Sequence, residues 1–251
     1  MAPNLLILGG SAEASALAAH VAAMGLRATF SYAGRVANPV VQPLPTRTGG
    51  FGGEAGLAAY LKNHSVTHLI DATNPFAAQI SRNAVAASAA AGVPLIALAR
   101  PPWTPGPGDR WTRVPNVARA ARSLGNTPKR IFLAIGRTEV PVFGTAPQHH
   151  YLLRFVDAPK DRPALPHHDI IIDRGPFAEA AERDLLETRR IDLVISRNAG
   201  GEGARAKIDA ARGLGLPVIM IDRPDPPQRH EVGTVEKVLR WIAHSVADRG
   251  V

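Results

Sequence analysis

The run Gly9-Gly10-Ser11-Ala12-Glu13 follows four apolar residues, Leu5-Leu6-Ile7-Leu8, and opens a helical pattern. Small residues at such a point let an anion approach the main chain, where free N–H groups and the positive end of a helix favour phosphate. The pattern is not G-x-G-x-x-G, because Ser11 stands at the second glycine and Ala14 at the last. A tight turn without a ligand is the other reading. The next strand, Arg27-Ala28-Thr29-Phe30-Ser31-Tyr32, runs into Ala33-Gly34-Arg35 with no acidic residue. An acid there would select the ribose hydroxyl of NAD, whereas an arginine accommodates the 2′-phosphate of NADP. Ser31 and Arg35 therefore favour NADP(H) if the first turn holds a dinucleotide; otherwise Arg35 is one of many solvent-facing arginines. Arg47-Thr48-Gly49-Gly50-Phe51-Gly52-Gly53 can close over a cofactor or be only a loop. Asp71-Ala72-Thr73-Asn74-Pro75-Phe76 puts polar side chains at the carboxyl end of a strand, the ligand-bearing edge of open α/β sheets.

Charge narrows the ligands. Lysine and arginine total 29 against 21 acidic residues, a formal net charge of +8, and only five of the 29 are lysine. Guanidinium forks bind carboxylate or phosphate through two bonds, so a polycarboxylate or phosphate ligand is one explanation and a GC-rich genome the other. Nucleic acid is disfavoured: aromatics are 5% of the chain, and no helix-turn-helix, RNP segment or zinc pattern is present. The absence of cysteine removes disulfides, thiolate metal sites and thiol nucleophiles. His149-His150 and His167-His168 point to opposite faces of a strand and lack a carboxylate at ligand spacing, so no metal site is expected. Glu179, Glu182 and Glu187 share a helix with Arg183, which reads as solvated ion pairing.

These residues need a scaffold. The 251 residues are 45% hydrophobic and 20% charged, enough for a sizeable core and too apolar for disorder. No apolar run reaches the ~18–20 residues of a membrane span, and no basic segment precedes the first apolar stretch, so a soluble cytoplasmic protein is expected. Ala14, Leu17, Ala18, Val21 and Met24 form a helical stripe between the first two strands. Further strands are expected at 68–72, 94–99, 131–135, 151–156, 169–173, 193–196 and 218–221, with helices between them. The Pro/Gly-rich 101–108 and the segment 157–168 read as loops. Leu69-Ile70-Asp71-Ala72-Thr73-Asn74 resembles Leu193-Val194-Ile195-Ser196-Arg197-Asn198, and Arg100-Pro101 resembles Arg223-Pro224, both at an offset of about half the chain. More loosely, Gly9 to Glu13 matches Gly136-Arg137-Thr138-Glu139. The fold class is therefore α/β, with two tandem Rossmann-like domains of parallel sheet, residues 1–110 for NADP(H) and 111–251 contributing to a second site.

The ordered set Leu6 to Glu13, Ala33-Gly34-Arg35, Gly49 to Gly53, Asp71 to Ala77, Arg174-Gly175-Pro176-Phe177 and Ser196-Arg197-Asn198-Ala199-Gly200-Gly201 resembles the precorrin-6A reductase family of cobalamin biosynthesis, across nearly the whole chain. The resemblance implies an active site between two Rossmann-like domains. It also implies a reduced nicotinamide, usually NADPH, that reduces one carbon–carbon double bond of the precorrin macrocycle to give precorrin-6B. A macrocycle rich in acetate and propionate groups would account for the arginines. The implied cofactor contacts are Gly9, Gly10, Ser11, Ala12, Glu13, Ser31, Gly34, Arg35, Gly49, Gly50, Phe51, Gly52, Thr73, Asn74, Pro75 and Phe76. The implied macrocycle contacts are Arg137, Arg174, Arg197, Asn198, Gly200, Gly201 and Lys207, with Gly200-Gly201 placed before a helix N-terminus. Three positions depart from the family pattern: Asn74 stands for histidine, Arg197 for lysine and Ala199 for serine. Asn74 cannot donate a proton at neutral pH. The proton source stays open among Tyr32, a histidine and solvent. Expected partners are the anionic precorrin and neighbouring pathway enzymes in hand-over contacts, with neither nucleic acid nor membrane. The competing class is a non-enzymatic binder of an anionic tetrapyrrole or nucleotide.

Overall fold

A computed structural model describes residues 2–34 and 39–247, so Arg35 lies outside the described residues. The chain first lays down β1 (Asn4–Leu8), α1 (Ala12–Ala23), β2 (Arg27–Tyr32), β3 (Thr46–Thr48), α2 (Gly53–Asn63), β4 (His68–Asp71), α3 (Ala78–Ala91) and β5 (Leu95–Leu98). It continues with β6 (Arg110–Val114), α4 (Val117–Arg122), β7 (Arg130–Ala134), a 3-10 helix (Arg137–Thr145), β8 (His150–Phe155), β9 (His168–Ile172), α5 (Glu179–Thr188), β10 (Leu193–Arg197), α6 (Ala206–Gly213) and β11 (Pro217–Ile221). Last come β12 (Glu231–Val232) and α7 (Val235–Ala247).

The chain divides into two units, residues 1–101 with 225–251, and residues 102–224. In the first, the sheet order is β12-β5-β4-β1-β2-β3, with every pairing parallel. This is the doubly wound order, with β1 and β4 side by side at the point where the winding reverses. All five residues of β1 are buried, and their alternation serves both faces. Leu5 and Ile7 pack with Leu17 and Val21 of α1 and with Val238 and Ile242 of α7. Leu6 and Leu8 pack with Leu57 and Leu61 of α2 and with Ala84 and Ala87 of α3. Each such leucine, isoleucine or valine contributes about 1.5–3 kcal/mol of transfer free energy.

In the second unit the order is β6-β11-β10-β7-β8-β9, again parallel throughout. Phe132, Val194, Val218 and Met220 meet Leu186 of α5 and Ile208 and Ala211 of α6 on one face. The α/β class with parallel sheets is as the sequence implies. The boundary is different. A second domain running from 111 to the C-terminus leaves no place for β12 and α7 in the first unit, yet β12 pairs with β5 and α7 packs on α1. Conversely, β6 follows β5 in sequence and pairs with β11 in the second unit. The outer strand at one edge of each sheet thus comes from the other half of the chain.

Candidate functional site

In the first unit, the candidates gather where β1, β2 and β4 end. The turn after β1 depends on two glycines. The Gly9 N–H donates to the Ser31 carbonyl at 2.9 Å, and a Cβ on Gly9 would sit 2.1 Å from the Phe30 ring. Gly10 adopts φ +132°, a conformation open to glycine. Ser11 then caps α1: its backbone is extended, and its hydroxyl accepts from the Ala14 N–H at 3.1 Å. The same hydroxyl donates to the Ala72 carbonyl at 2.9 Å, tying the turn to the end of β4. Ala12 is the first residue of α1. Glu13 is spent elsewhere, on an ion pair with Arg100 at 2.6 Å, so its carboxylate neutralises an arginine rather than reaching outward.

Ser31 is buried and accepts from Arg47 Nη1 at 2.8 Å. Arg47, absent from the candidates read in the sequence, organises the glycine-rich loop. It also donates to the Gly49 carbonyl at 3.0 Å and the Gly50 carbonyl at 3.1 Å, and its guanidinium lies 3.8 Å from the centre of the Phe51 ring. Gly34 lies against Thr48 and Gly49, and Gly52 precedes α2. Tyr32 donates its hydroxyl to the Val40 carbonyl at 2.8 Å and accepts from Gln42 at 2.6 Å, so its proton is already engaged.

The loop after β4 is built around Asp71. Its buried carboxylate accepts from the Thr73 N–H at 3.2 Å, the Thr73 hydroxyl at 2.6 Å and the Ser81 hydroxyl at 2.7 Å, and pairs with Arg229. Arg229, from the segment that returns to form β12, was not foreseen either. Asn74 closes an Asx turn by accepting from the Phe76 N–H at 2.9 Å, with Pro75 between them.

The candidates in the second unit split. Arg174 pairs with Asp157 at 3.7 Å, and Arg197 pairs with Glu139. Asn198 is buried, and both ends of its amide hold the Trp103 main chain, accepting from its N–H at 2.7 Å and donating to its carbonyl at 2.9 Å. Gly200 and Gly201 are left-handed, and the Gly201 carbonyl accepts from the Trp103 indole at 2.8 Å. The helix expected just after these glycines begins only at Ala206, because residues 202–205 form a turn first. Lys207 faces inward, donating to the Ala204 carbonyl with its ammonium 5.3 Å from the Trp103 ring centre. Its aliphatic stem lies on the apolar side of α6. Arg137 is exposed. His149 is buried and His150 faces Asp169 at 3.1 Å, and among the described residues no three His, Asp or Glu gather as a metal site.

Comparison with known proteins decides the lineage. Residues 4–243 match the family model "Precorrin-6x reductase CbiJ/CobK". The chain belongs to this family. It is 55% identical over 249 residues to a precorrin-6A reductase of Rhodobacter capsulatus, covering 99% of both chains. It is 48% identical to one from a Sinorhizobium species, covering 98% of this chain and 94% of that one. The solved structure of a CobK precorrin-6A reductase superposes with a TM-score of 0.94 at 55% identity, covering 96% of each chain. Members carrying the cobalt-precorrin-6A reductase name are more distant, such as that of Priestia megaterium at 27% identity.

Proposed function

We propose that this chain is a precorrin-6A reductase that draws its hydride from NADPH. The observation that carries the nucleotide part is the first turn. The serine-capped N-terminus of a 12-residue helix stands beside a positive-φ glycine, on the strand edge where doubly wound sheets bind nucleotides. The local main chain fits a diphosphate: a Cβ on Gly10, Gly49, Gly50 or Gly52 meets no heavy atom within 4 Å. Gly10, Ser11 and Ala12 would hold the diphosphate through main-chain N–H groups, while Gly9, whose own N–H is taken by the Ser31 carbonyl, would keep the approach clear of a side chain. Gly34, the Gly49–Gly52 loop with Phe51, and Thr73 to Phe76 would flank the rest of the nucleotide. Ser31, Arg35 and the Arg47 that binds Ser31 are the candidates for the 2′-phosphate.

When bound, the reduced nicotinamide supplies a hydride equivalent to one carbon of the double bond while a proton reaches the other. The protein supplies position and electrostatics. Asn74 carries no acidic proton, and the Tyr32 hydroxyl is bound to Val40, so neither is given the proton transfer. The reading extends to domains cooperating on one substrate, to a cytoplasmic setting and to hand-over of product to a neighbouring enzyme. Among the described residues no helix is long and apolar enough to cross a membrane. A non-enzymatic binder finds no support in a family of reductases.

The test is consumption of NADPH at 340 nm on adding precorrin-6A under anaerobic conditions; no oxidation with authentic substrate defeats the proposal. Arg35→Ala tests the choice of cofactor. It should raise the Kd for NADPH about tenfold or more and leave NADH within about twofold. Equal losses for both would remove the 2′-phosphate role.

A further inference from the structure

The second unit's candidate cations are not equivalent. Arg174 and Arg197 already face carboxylates, whereas Arg137 makes no ion pair among the described residues. Arg137 lines a cavity of about 410 Å³, together with Lys160 and Arg162, which also lack ion pairs among the described residues. Asp161 is the one carboxylate on the lining, so three cations face one acid. Phe155 and Val140 supply the apolar part of the wall. Two residues close to Phe155 in chain or register are also exposed: Val156, which follows it, at 43%, and Ile172, paired with it across β8 and β9, at 51%. The cavity also lies at the carboxyl ends of β7 and β8, the edge on which such sheets bind ligands.

We propose that this cavity is a carboxylate-anchoring subsite for the ring substrate, and that Lys160 and Arg162, with Arg137, determine its affinity. Cations at the rim would bind one or two peripheral carboxylates, and the Phe155 and Val140 wall would meet the apolar edge of the ring. A volume of about 410 Å³ holds an edge of a tetrapyrrole, not the whole. The subsite rests on the reductase reading for the identity of its ligand, but its chemistry, a polycarboxylate with an apolar body, comes from the wall itself.

The experiment is steady-state kinetics of the full-length Lys160→Glu/Arg162→Glu variant with precorrin-6A, beside NADPH titration. Both residues are exposed, so folding should survive, and circular dichroism checks it. KM for precorrin-6A should rise about tenfold or more, and wild-type KM should climb with ionic strength while the variant's responds less. The NADPH Kd should stay within about twofold. An unchanged KM overturns the subsite, and so does a selective loss of NADPH binding, which would make the cavity a nucleotide site. If neither protein turns over precorrin-6A, the reductase reading has failed, and the subsite is judged by fluorescence titration with uroporphyrin, a porphyrin bearing eight carboxylates. Weaker binding by the variant supports the subsite; equal binding, or none by the wild type, overturns it. If the double variant misfolds, Lys160→Gln/Arg162→Gln replaces it under the same criteria.

Discussion

The turns after β1 and β7 start from similar residues and become different structures. Gly10-Ser11-Ala12-Glu13 opens a 12-residue α-helix; Gly136-Arg137-Thr138-Glu139 opens a nine-residue 3-10 helix. The capping serine of the first is an arginine in the second, and Gly136 has φ −70° where Gly10 has +132°. Pro141 then removes an N–H that a regular helix would use. Both glutamates are neutralised by an arginine, Glu13 by Arg100 and Glu139 by Arg197. Sheet order is thus copied while the serine-capped helix end is not. The second unit places three cationic side chains at its edge instead of free main-chain N–H groups.

Among the described residues each unit holds a largely buried arginine–carboxylate pair, and comparing them separates stability from function. Arg229–Asp71 holds the loop after β4, whereas Arg154–Glu182, at 2.7 Å, lies between β8 and α5. Removing one partner of either leaves a buried charge, which costs about 3–5 kcal/mol. Arg229→Met and Arg154→Met should both lower stability by that much in urea denaturation. Only Arg229→Met should also weaken NADPH binding at temperatures where the protein is still folded. Equal cofactor effects would mean that the Asp71 loop is not part of the nucleotide site.

The turns themselves give the next contrast. Gly10→Val puts a branched side chain where φ is +132° and should weaken NADPH binding about a hundredfold by calorimetry. Gly136→Ala adds a methyl at ordinary φ, against the movable end of Arg197 at 3.0 Å, and should change NADPH affinity less than about twofold. A large effect at Gly136 would break the asymmetry.

Asn74 and Asn198 occupy matching places in the internal repeat and do different work. Asn198→Ala strands the buried Trp103 N–H and carbonyl and should cost about 1–3 kcal/mol. Asn74→Ala loses one hydrogen bond of a half-buried turn, about 1 kcal/mol or less, and its main effect should fall on NADPH affinity. Reversed costs in parallel denaturation would show that the repeat misassigns them.

How much of this was legible follows from where the information sits. The β1 run, the Ser11 cap and the stripe of α1 are local patterns, and they were readable. The strands Thr46–Thr48, Arg110–Val114 and Glu231–Val232 were not: each is an edge strand or next to nothing in length, largely polar, without alternation to betray it. No local signal tells which sheet a strand joins, so β12 and α7 were assigned to the wrong unit. The site divides the same way. Glycine and serine act through their own main chain, whereas Arg229 meets Asp71 across 158 residues and Arg47 meets Ser31 across 16. Arg47 carried one usable signal, a cation opening a glycine-rich loop.

The smallest effect concerns the second unit alone. His149 is fully buried, and burial followed by the nearby Lys129 charge lowers its pKa below the ordinary 6.5. The unfolded chain takes up a proton near pH 6.5 that the folded chain refuses. The neutral imidazole's contribution is therefore complete above pH 6.5 and is lost as pH falls below it. Between pH 7.5 and 5.5 the unfolding temperature should drop further in the wild type than in His149→Gln. His149 belongs to the second unit, so NADPH affinity, assigned here to the first, should not follow the same curve. If it does, the two units are coupled through ionisation, and the contrast between their turns is not a contrast between independent sites.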